Sequence, residues 1–132
     1  MDLLLRLHEC GQDWNVSVPA QEAGCAALDE TAYVEKAKKL IAKERRYLTA
    51  ALNRHGAKTY GSEANYIFFK LEQPQDLKEQ LLKKGFLIRS CANYHNLNGN
   101  YYRIAVKRHA VNIIFIKALK EVQNNALING DN

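Results

Sequence analysis

Two short apolar runs near the end of the chain have the length and alternation of β-strands. The runs Gly85–Tyr94 and Tyr101–Val106 flank a connection rich in Gly and Asn, a pattern typical of two sheet strands joined by a loop. In the second run, alternation places Arg103 on the opposite face from Ile104. An arginine in such a strand either extends its guanidinium group to water or holds a fixed anion. Because the first run carries Arg89, the two runs together predict a site for a ligand with two negative ends.

Hydrophobic periodicity predicts the remaining elements. Apolar residues recur at helical spacing in a long helix, about Thr31–Arg54, and in a final helix, about His109–Gln123. The run Ala64–Leu71 is rich in aromatic and β-branched residues, which indicates another strand. The small residues of Ala20–Leu28 predict a helix that lies deep against a neighbour. This order of elements predicts an α+β fold with a small mixed or antiparallel sheet of three to four strands packed by helices.

The same pattern predicts three parts of the chain. Residues 1–17 are expected to be the last turns of a helix and an extended connector, because Leu3, Leu4 and Leu7 lie at helical spacing before a stop at Gly11. Residues 18–123 form the globular domain. Residues 124–132 are polar and are expected to be a flexible tail.

The composition fits one globular domain. The chain has 132 residues, of which 47% are hydrophobic, and this length is enough to bury a core. Its net charge of +5 is spread along helices without a charged block, so we expect no nucleic-acid partner. No run has the length and hydropathy of a membrane span, and the leucine-rich start lacks the features of a signal peptide. The three cysteines lack metal-ligand spacing, and their odd number favours a reduced, cytoplasmic compartment.

The chain lacks the usual catalytic motifs. It has no Gly-rich phosphate loop, no nucleophile elbow and no spacing of zinc ligands. No pair of carboxylates is placed for acid–base catalysis. Among the histidines, His95 lies in the loop between the two arginines, where a titratable group can approach a ligand. We therefore predict anion binding, no catalytic residue and no metal.

The residues around the two arginines resemble a known family. The stretches Leu87–Tyr94 (LIRSCANY) and Tyr101–Val106 (YYRIAV), followed by Asn112, are similar to the C-terminal part of fold-type I pyridoxal-phosphate enzymes. Within that group they resemble most the L-threonine-O-3-phosphate decarboxylases of cobalamin biosynthesis, and next the histidinol-phosphate aminotransferases. Two further stretches match the family, Trp14–Ser17 and Ser62–Tyr66.

The resemblance implies a role for each arginine. In such enzymes the arginine that matches Arg103 binds the α-carboxylate of the amino-acid substrate, and the one that matches Arg89 binds the phosphate of its side chain. It also implies lesser substrate contacts from Asn15, near the cleft, and from His95. The implied substrate, a small phosphorylated amino acid, agrees with the two-ended ligand predicted from the strands.

The resemblance also implies that other parts of the enzyme lie outside this segment. The family's Schiff-base lysine, the acidic residue that faces the pyridine nitrogen and the phosphate-binding residues precede it. The chain, similar to the family over about Leu3–Val122, then corresponds to the small domain of a larger, homodimeric enzyme that binds pyridoxal phosphate. The resemblance implies in addition that the helix end within residues 1–17 is interdomain. We expect this fragment alone to lack its N-terminal large domain, to bind no cofactor and to be inactive.

One departure from the family lies in the loop between the arginines. Where the family often has Tyr-Pro-Gly-Leu, this chain has Tyr94-His95-Asn96-Leu97. Asparagine tolerates the left-handed conformation that glycine supplies, so we expect the turn to be kept.

Two alternatives stay open. The first is the small domain of a histidinol-phosphate aminotransferase or of a related class I or II aminotransferase. The second, from another class, is a free-standing basic α+β module that binds a ligand or nucleic acid. Against RNA binding, Tyr66, Phe68 and Phe69 lie in a strand that we expect to be buried, which leaves no aromatic platform for bases.

Overall fold

The computed structural model describes residues 2–11, 16–74 and 76–129, apart from the side chains of His8 and of residues 127–129. Residue contacts group the chain into two units, one that ends at Lys36 and one that begins at Ala37. The elements, in chain order, are α1 Leu3–Glu9, α2 Val18–Asp29, α3 Thr31–Arg54, β1 Lys58–Thr59, β2 Tyr66–Lys70, α4 Leu77–Lys83, β3 Arg89–Ser90, β4 Tyr101–Ala105 and α5 His109–Asn129.

The first unit contains α1, α2 and the beginning of α3. The leucines of α1 are exposed, and so is every residue of α2. The expectation that the small-residue helix lies deep against a neighbour is therefore wrong for this chain. Small side chains carry little apolar area, so their burial alone provides little driving force for packing. Within the described residues, no helix combines the length and the hydropathy that a membrane span needs.

The second unit is built on a four-stranded antiparallel sheet with the order β1-β2-β4-β3. The central pair, β2 and β4, is aligned from Tyr66 opposite Ala105 to Lys70 opposite Tyr101. Along both strands, buried positions alternate with half-buried or exposed ones, as the period of two in a one-sided sheet requires. The predicted α+β class with a small antiparallel sheet is confirmed.

Helices cover one face of this sheet. Ile67 and Phe69 of β2 and Tyr102 and Ile104 of β4 point into the core and are buried. They form one cluster with apolar residues of α3, α4 and α5, namely Leu48, Leu52, Leu77, Leu81, Phe115, Ala118, Leu119 and Val122. The predicted alternation in the last strand, with Arg103 on the face away from Ile104, is thereby confirmed.

The opposite face of the sheet, which we call the open face, carries aromatic and basic side chains. Tyr66, Phe68, Tyr101 and Arg103 are half-buried there. The Phe68 ring lies 5.0 Å from that of Tyr60 and 5.7 Å from that of Tyr101, centroid to centroid. The expectation of a buried strand is confirmed for Phe69 but is wrong for Tyr66 and Phe68, because β2 is covered by helices on one side only.

The last helix is longer than predicted. It begins at His109 as expected but continues past Gln123 to Asn129. No glycine or proline interrupts the sequence before Gly130, so nothing in it stops a helix at the two asparagines that follow Gln123.

Candidate anion-binding site

Arg89 and Arg103 are direct partners in the sheet. They lie opposite one another where β3 pairs with β4. Residues opposite each other in an antiparallel ladder project to the same face, and like charges in that position destabilise the pair of strands. The structure thus brings the two predicted arginines together, at a cost in stability that a bound anion would offset.

The guanidinium group of Arg103 lies between two tyrosines. Its Cζ is 3.7 Å from the ring centroid of Tyr66, a close cation–π contact. Its Nη1 donates a long hydrogen bond of 3.4 Å to the hydroxyl oxygen of Tyr94. Its Nε is buried and has no hydrogen-bond partner among the described residues. The other Nη protons of Arg103 have no acceptor in the described part of the chain and remain available to a ligand.

Arg89 is the more exposed of the pair. Its Cζ lies 5.7 Å from the ring centroid of Tyr94. Within the described residues, neither Arg89 nor Arg103 forms an ion pair with a carboxylate. Planar guanidinium groups bind carboxylate and phosphate in bidentate fashion, so both charges are available for an anionic ligand.

An open groove of about 630 Å³ runs past both arginines. Besides them, its polar lining comes from Asn65, Lys78 and Ser90, and among the described residues no aspartate or glutamate lines it. A smaller cavity of about 300 Å³ shares Arg103 with the groove and has the aromatic walls Tyr66, Phe68 and Tyr94. The charged residues of the described lining are therefore all basic, although one of them, Lys78, lies 3.9 Å from the carboxylate of Glu79.

The positive charges of Arg103 and Arg89 act on the thiol of Cys91. Burial raises the pKa of Cys91, although the positive charges of Arg103 and Arg89 act to lower it. The thiol is thus uncharged at neutral pH and does not neutralise either guanidinium group.

The loop between β3 and β4 positions Tyr94 through backbone turns. The Tyr94 N–H donates to the carbonyl of Cys91 at 3.0 Å, and the Leu97 N–H donates to the carbonyl of Tyr94 at 3.1 Å. Asn96 has a φ of +61°, so the expectation that asparagine takes the left-handed position is confirmed. His95 is exposed and lines neither the groove nor the smaller cavity. Its contact with a ligand stays a prediction.

Sequence reasoning does not single out three residues that surround the arginines. The position of Tyr66 beside Arg103 depends on the register of β2 against β4, which the alternation within one strand does not reveal. Tyr94 belongs to the loop, where no periodicity applies. Lys78 lies on α4, and its approach to the groove depends on how that helix packs. Asn15, the remaining predicted contact, lies outside the described residues.

The groove by itself does not fit pyridoxal phosphate. That cofactor requires a lysine that forms the imine and a group that pairs with the pyridine nitrogen. Lys78, the lysine that lines the groove, is 42% exposed and lies 3.9 Å from the carboxylate of Glu79, whereas imine-forming lysines are activated by desolvation or by a neighbouring cation. The described residues also contain no group of three side chains placed to hold a metal ion.

Comparison with known proteins places this arrangement in a family. The family model for class I and II aminotransferases matches residues 2–119. The chain belongs to the class I and II aminotransferase family. It is 32% identical over 121 residues to the threonine-phosphate decarboxylase of Salmonella typhimurium, covering 90% of this chain and 33% of that protein. It is 37% identical over 108 residues to histidinol-phosphate aminotransferase 1 of Archaeoglobus fulgidus, covering 81% and 33% respectively.

The fold has the same relatives. The crystal structure of the histidinol-phosphate aminotransferase from Clostridium acetobutylicum superposes with a TM-score of 0.81 at 31% identity, over 92% of this chain and 37% of that one. The expected fold, that of fold-type I pyridoxal-phosphate enzymes, is confirmed. The chain spans about a third of the length of the curated relatives that it matches.

Proposed function

We propose that this chain is the substrate-binding small domain of a pyridoxal-phosphate-dependent L-threonine-O-3-phosphate decarboxylase, which makes aminopropanol phosphate for cobalamin synthesis. In this proposal Arg103 binds the α-carboxylate of the substrate and Arg89 binds its phosphate. The observation that carries the proposal is the placement of the two arginines directly opposite each other, without an ion-pair partner among the described residues.

The chemistry of the groove supports a ligand with two anionic ends. Two guanidinium groups on one face repel each other unless anions lie between or beside them. A carboxylate and a phosphate on one short molecule neutralise both at once. Lys78, which lies 3.9 Å from the carboxylate of Glu79, adds a third basic group to the groove. A phosphate carries close to two negative charges at neutral pH and suits such a lining.

Further parts of the proposed enzyme come from outside this segment. The chain spans about a third of its curated relatives, and its groove does not provide the groups that hold pyridoxal phosphate. The cofactor-binding large domain therefore belongs to the rest of the enzyme, which we propose acts as a cytoplasmic homodimer. The segment alone binds and orients substrate without turning it over.

The alternative function is that of a histidinol-phosphate aminotransferase. Specific support comes from the A. fulgidus and C. acetobutylicum proteins, with 37% identity and a TM-score of 0.81 respectively. Histidinol phosphate has a phosphate but no carboxylate. It would use Arg89 alone, and Arg103 would bind the carboxylate of the amino-acid partner in the transfer.

A titration of the chain followed by NMR of the arginine Nε–Hε signals tests the two-anion site on which the proposal rests. We expect O-phospho-L-threonine to shift the signals of Arg89 and Arg103 together and to bind more tightly than inorganic phosphate or L-threonine. Arg46→Lys, on the exposed surface of α3, is the control that leaves this behaviour unchanged. If phosphothreonine binds no more tightly than inorganic phosphate, the two-anion site is absent and the proposal fails.

The reaction itself is tested in the full-length enzyme. We expect release of carbon dioxide from O-phospho-L-threonine and no amino transfer from histidinol phosphate to 2-oxoglutarate. The opposite pair of results would establish the aminotransferase instead.

A further inference from the structure

Tyr94 contacts both arginines from a position outside the strands. Its hydroxyl oxygen accepts the hydrogen bond from Nη1 of Arg103 at 3.4 Å, and its ring centroid lies 5.7 Å from Cζ of Arg89. Its side chain also forms part of the wall of the smaller cavity. One side chain is thus in contact with the groups that we assign to the two ends of the ligand.

The contacts of Arg103 determine which of its edges faces the ligand. The Tyr66 ring, 3.7 Å from Cζ, covers one side of its guanidinium plane. Because Nε is buried, the edge formed by Nε and Nη2 is not accessible to a ligand. A carboxylate then approaches through the two Nη atoms. Because the Tyr94 hydroxyl oxygen accepts a hydrogen bond from Nη1, it restricts the rotation of the Arg103 guanidinium group.

Arg89 has a different constraint. Its side chain is exposed, and an arginine in solvent samples many rotamers. The Tyr94 ring provides an aromatic surface for its guanidinium group, and such a contact favours the rotamers that keep the group over the ring. The backbone turns at Tyr94 and Leu97 hold the main chain from which this ring projects.

We propose that Tyr94 is a positioning residue that sets the separation of the two guanidinium groups and thereby selects ligands by the distance between their carboxylate and phosphate. This inference rests on the proposed function, because it assigns the two ends of the ligand to Arg103 and Arg89. The favoured ligands are phosphate monoesters of short hydroxy amino acids, such as O-phospho-L-threonine. A longer homologue, such as O-phospho-L-homoserine, binds less well because its ends are farther apart.

The test uses two substitutions that separate the hydroxyl from the ring. Tyr94→Phe keeps the surface under Arg89 and removes the acceptor for Arg103, whereas Tyr94→Leu removes both. We expect Tyr94→Phe to weaken O-phospho-L-threonine binding about fivefold, the effect of one lost hydrogen bond, and to leave binding of inorganic phosphate unchanged. We expect Tyr94→Leu also to abolish the preference for phosphothreonine over phosphohomoserine. Tyr33→Phe, at a tyrosine that is 71% exposed, is the matched control.

The outcomes distinguish this inference from the function on which it rests. If Arg103→Lys weakens phosphothreonine binding but Tyr94→Phe and Tyr94→Leu behave like the unmodified chain, the positioning role is wrong and the proposed function stands. If Arg103→Lys and Arg89→Lys have no effect either, the proposed function is wrong as well. Equal losses for phosphate and phosphothreonine in Tyr94→Phe, with a lower unfolding temperature, would show a structural role and overturn the inference.

Discussion

Arg45 and Arg103 are two half-buried arginines of the same unit, and both have a buried Nε without a hydrogen-bond partner among the described residues. Arg45 donates from Nη1 to the carbonyl of Ser62 at 2.9 Å and from Nη2 to the carbonyls of Glu63 and Ala64 at 3.1 and 2.7 Å. Arg103 donates one long bond to a tyrosine hydroxyl.

The difference separates an arginine whose donors are used within the fold from one that we propose binds a ligand. The backbone supplies three acceptors to Arg45, so its charge is used to hold the loop that leads into β2. That loop delivers Tyr66 to the sheet, where its ring packs on Arg103. Arg103 packs against the Tyr66 ring but has few hydrogen-bond acceptors. Its remaining N–H groups can therefore donate to a ligand.

The largest effect is expected at Arg103. In the complete enzyme, Arg103→Lys replaces a planar guanidinium group, which can donate two parallel hydrogen bonds, with a compact ammonium group. We expect this change to cost about 2–4 kcal/mol of transition-state stabilisation. The measurement is kcat/KM with O-phospho-L-threonine, beside the unfolding free energy of the variant. Activity close to that of the unmodified enzyme would contradict the assignment of Arg103 to the carboxylate.

Substitution of Arg45 is expected to lower the stability of the fold. Arg45→Met keeps the aliphatic stem but removes three charge-assisted hydrogen bonds, and we expect the free energy of unfolding to fall by about 2–3 kcal/mol. Urea denaturation measures this. Arg46→Met, at the exposed neighbouring position, should change stability by less than about 0.5 kcal/mol. Equal effects at the two positions would contradict the structural role of Arg45.

Glu44, like Arg45, is a charged side chain that has hydrogen-bond partners within the fold. Glu44 is 1% exposed, and its Oε2 accepts hydrogen bonds from Nδ2 of Asn112 at 2.9 Å and from Nδ1 of His109 at 3.0 Å. Burial acts to raise the pKa of Glu44. The hydrogen bonds from Asn112 and His109, with the charges of His109 and Lys43, outweigh it and hold the pKa below its ordinary value of 4.5.

We therefore expect Glu44→Gln to lower the free energy of unfolding by about 1–2 kcal/mol at pH 7. Because the folded state depresses the pKa of Glu44, its ionic contribution is present above the ordinary pKa and is lost as the pH falls through the folded value. The gap between the two proteins should narrow when urea denaturation is repeated at decreasing pH below 4.5. A gap that is constant over this range would mean that the charge of Glu44 is not what stabilises the cluster.

The smallest effect concerns the loop of Tyr94. Asn96 is in the left-handed region with a φ of +61°, and Asn96→Ala should cost about 1 kcal/mol because a Cβ without a polar partner is disfavoured there. Asn96→Gly should leave stability almost unchanged. Thermal unfolding of the two variants checks this, and an equal loss in both would point to the asparagine amide group instead.

These comparisons also show what could be predicted from the sequence. The face of Arg103 follows from the alternation within β4, a property of neighbouring residues. The return of the chain after Arg89 follows from the Gly/Asn-rich connection. The position of Asn96 follows from the backbone conformations that asparagine accepts.

Other features depend on residues far apart in the chain. The contact of Tyr66 with Arg103 requires the register of β2 on β4, and the acceptors of Arg45 require a loop placed by tertiary packing. The exposure of α2 could not be predicted either, because a run of small residues is compatible with close packing and with open solvent alike. Periodicity describes an element but does not determine what lies next to it.

The brevity of β3 has one more consequence. This edge strand has two residues, and the backbone of Cys91 makes one further bond, 2.8 Å long, to the carbonyl of Tyr101. Short edges open locally at little cost in free energy. A ligand that bridges Arg89 and Arg103 would link β3 to β4 across the edge of the sheet. The order of this edge strand should therefore increase with the occupancy of the ligand.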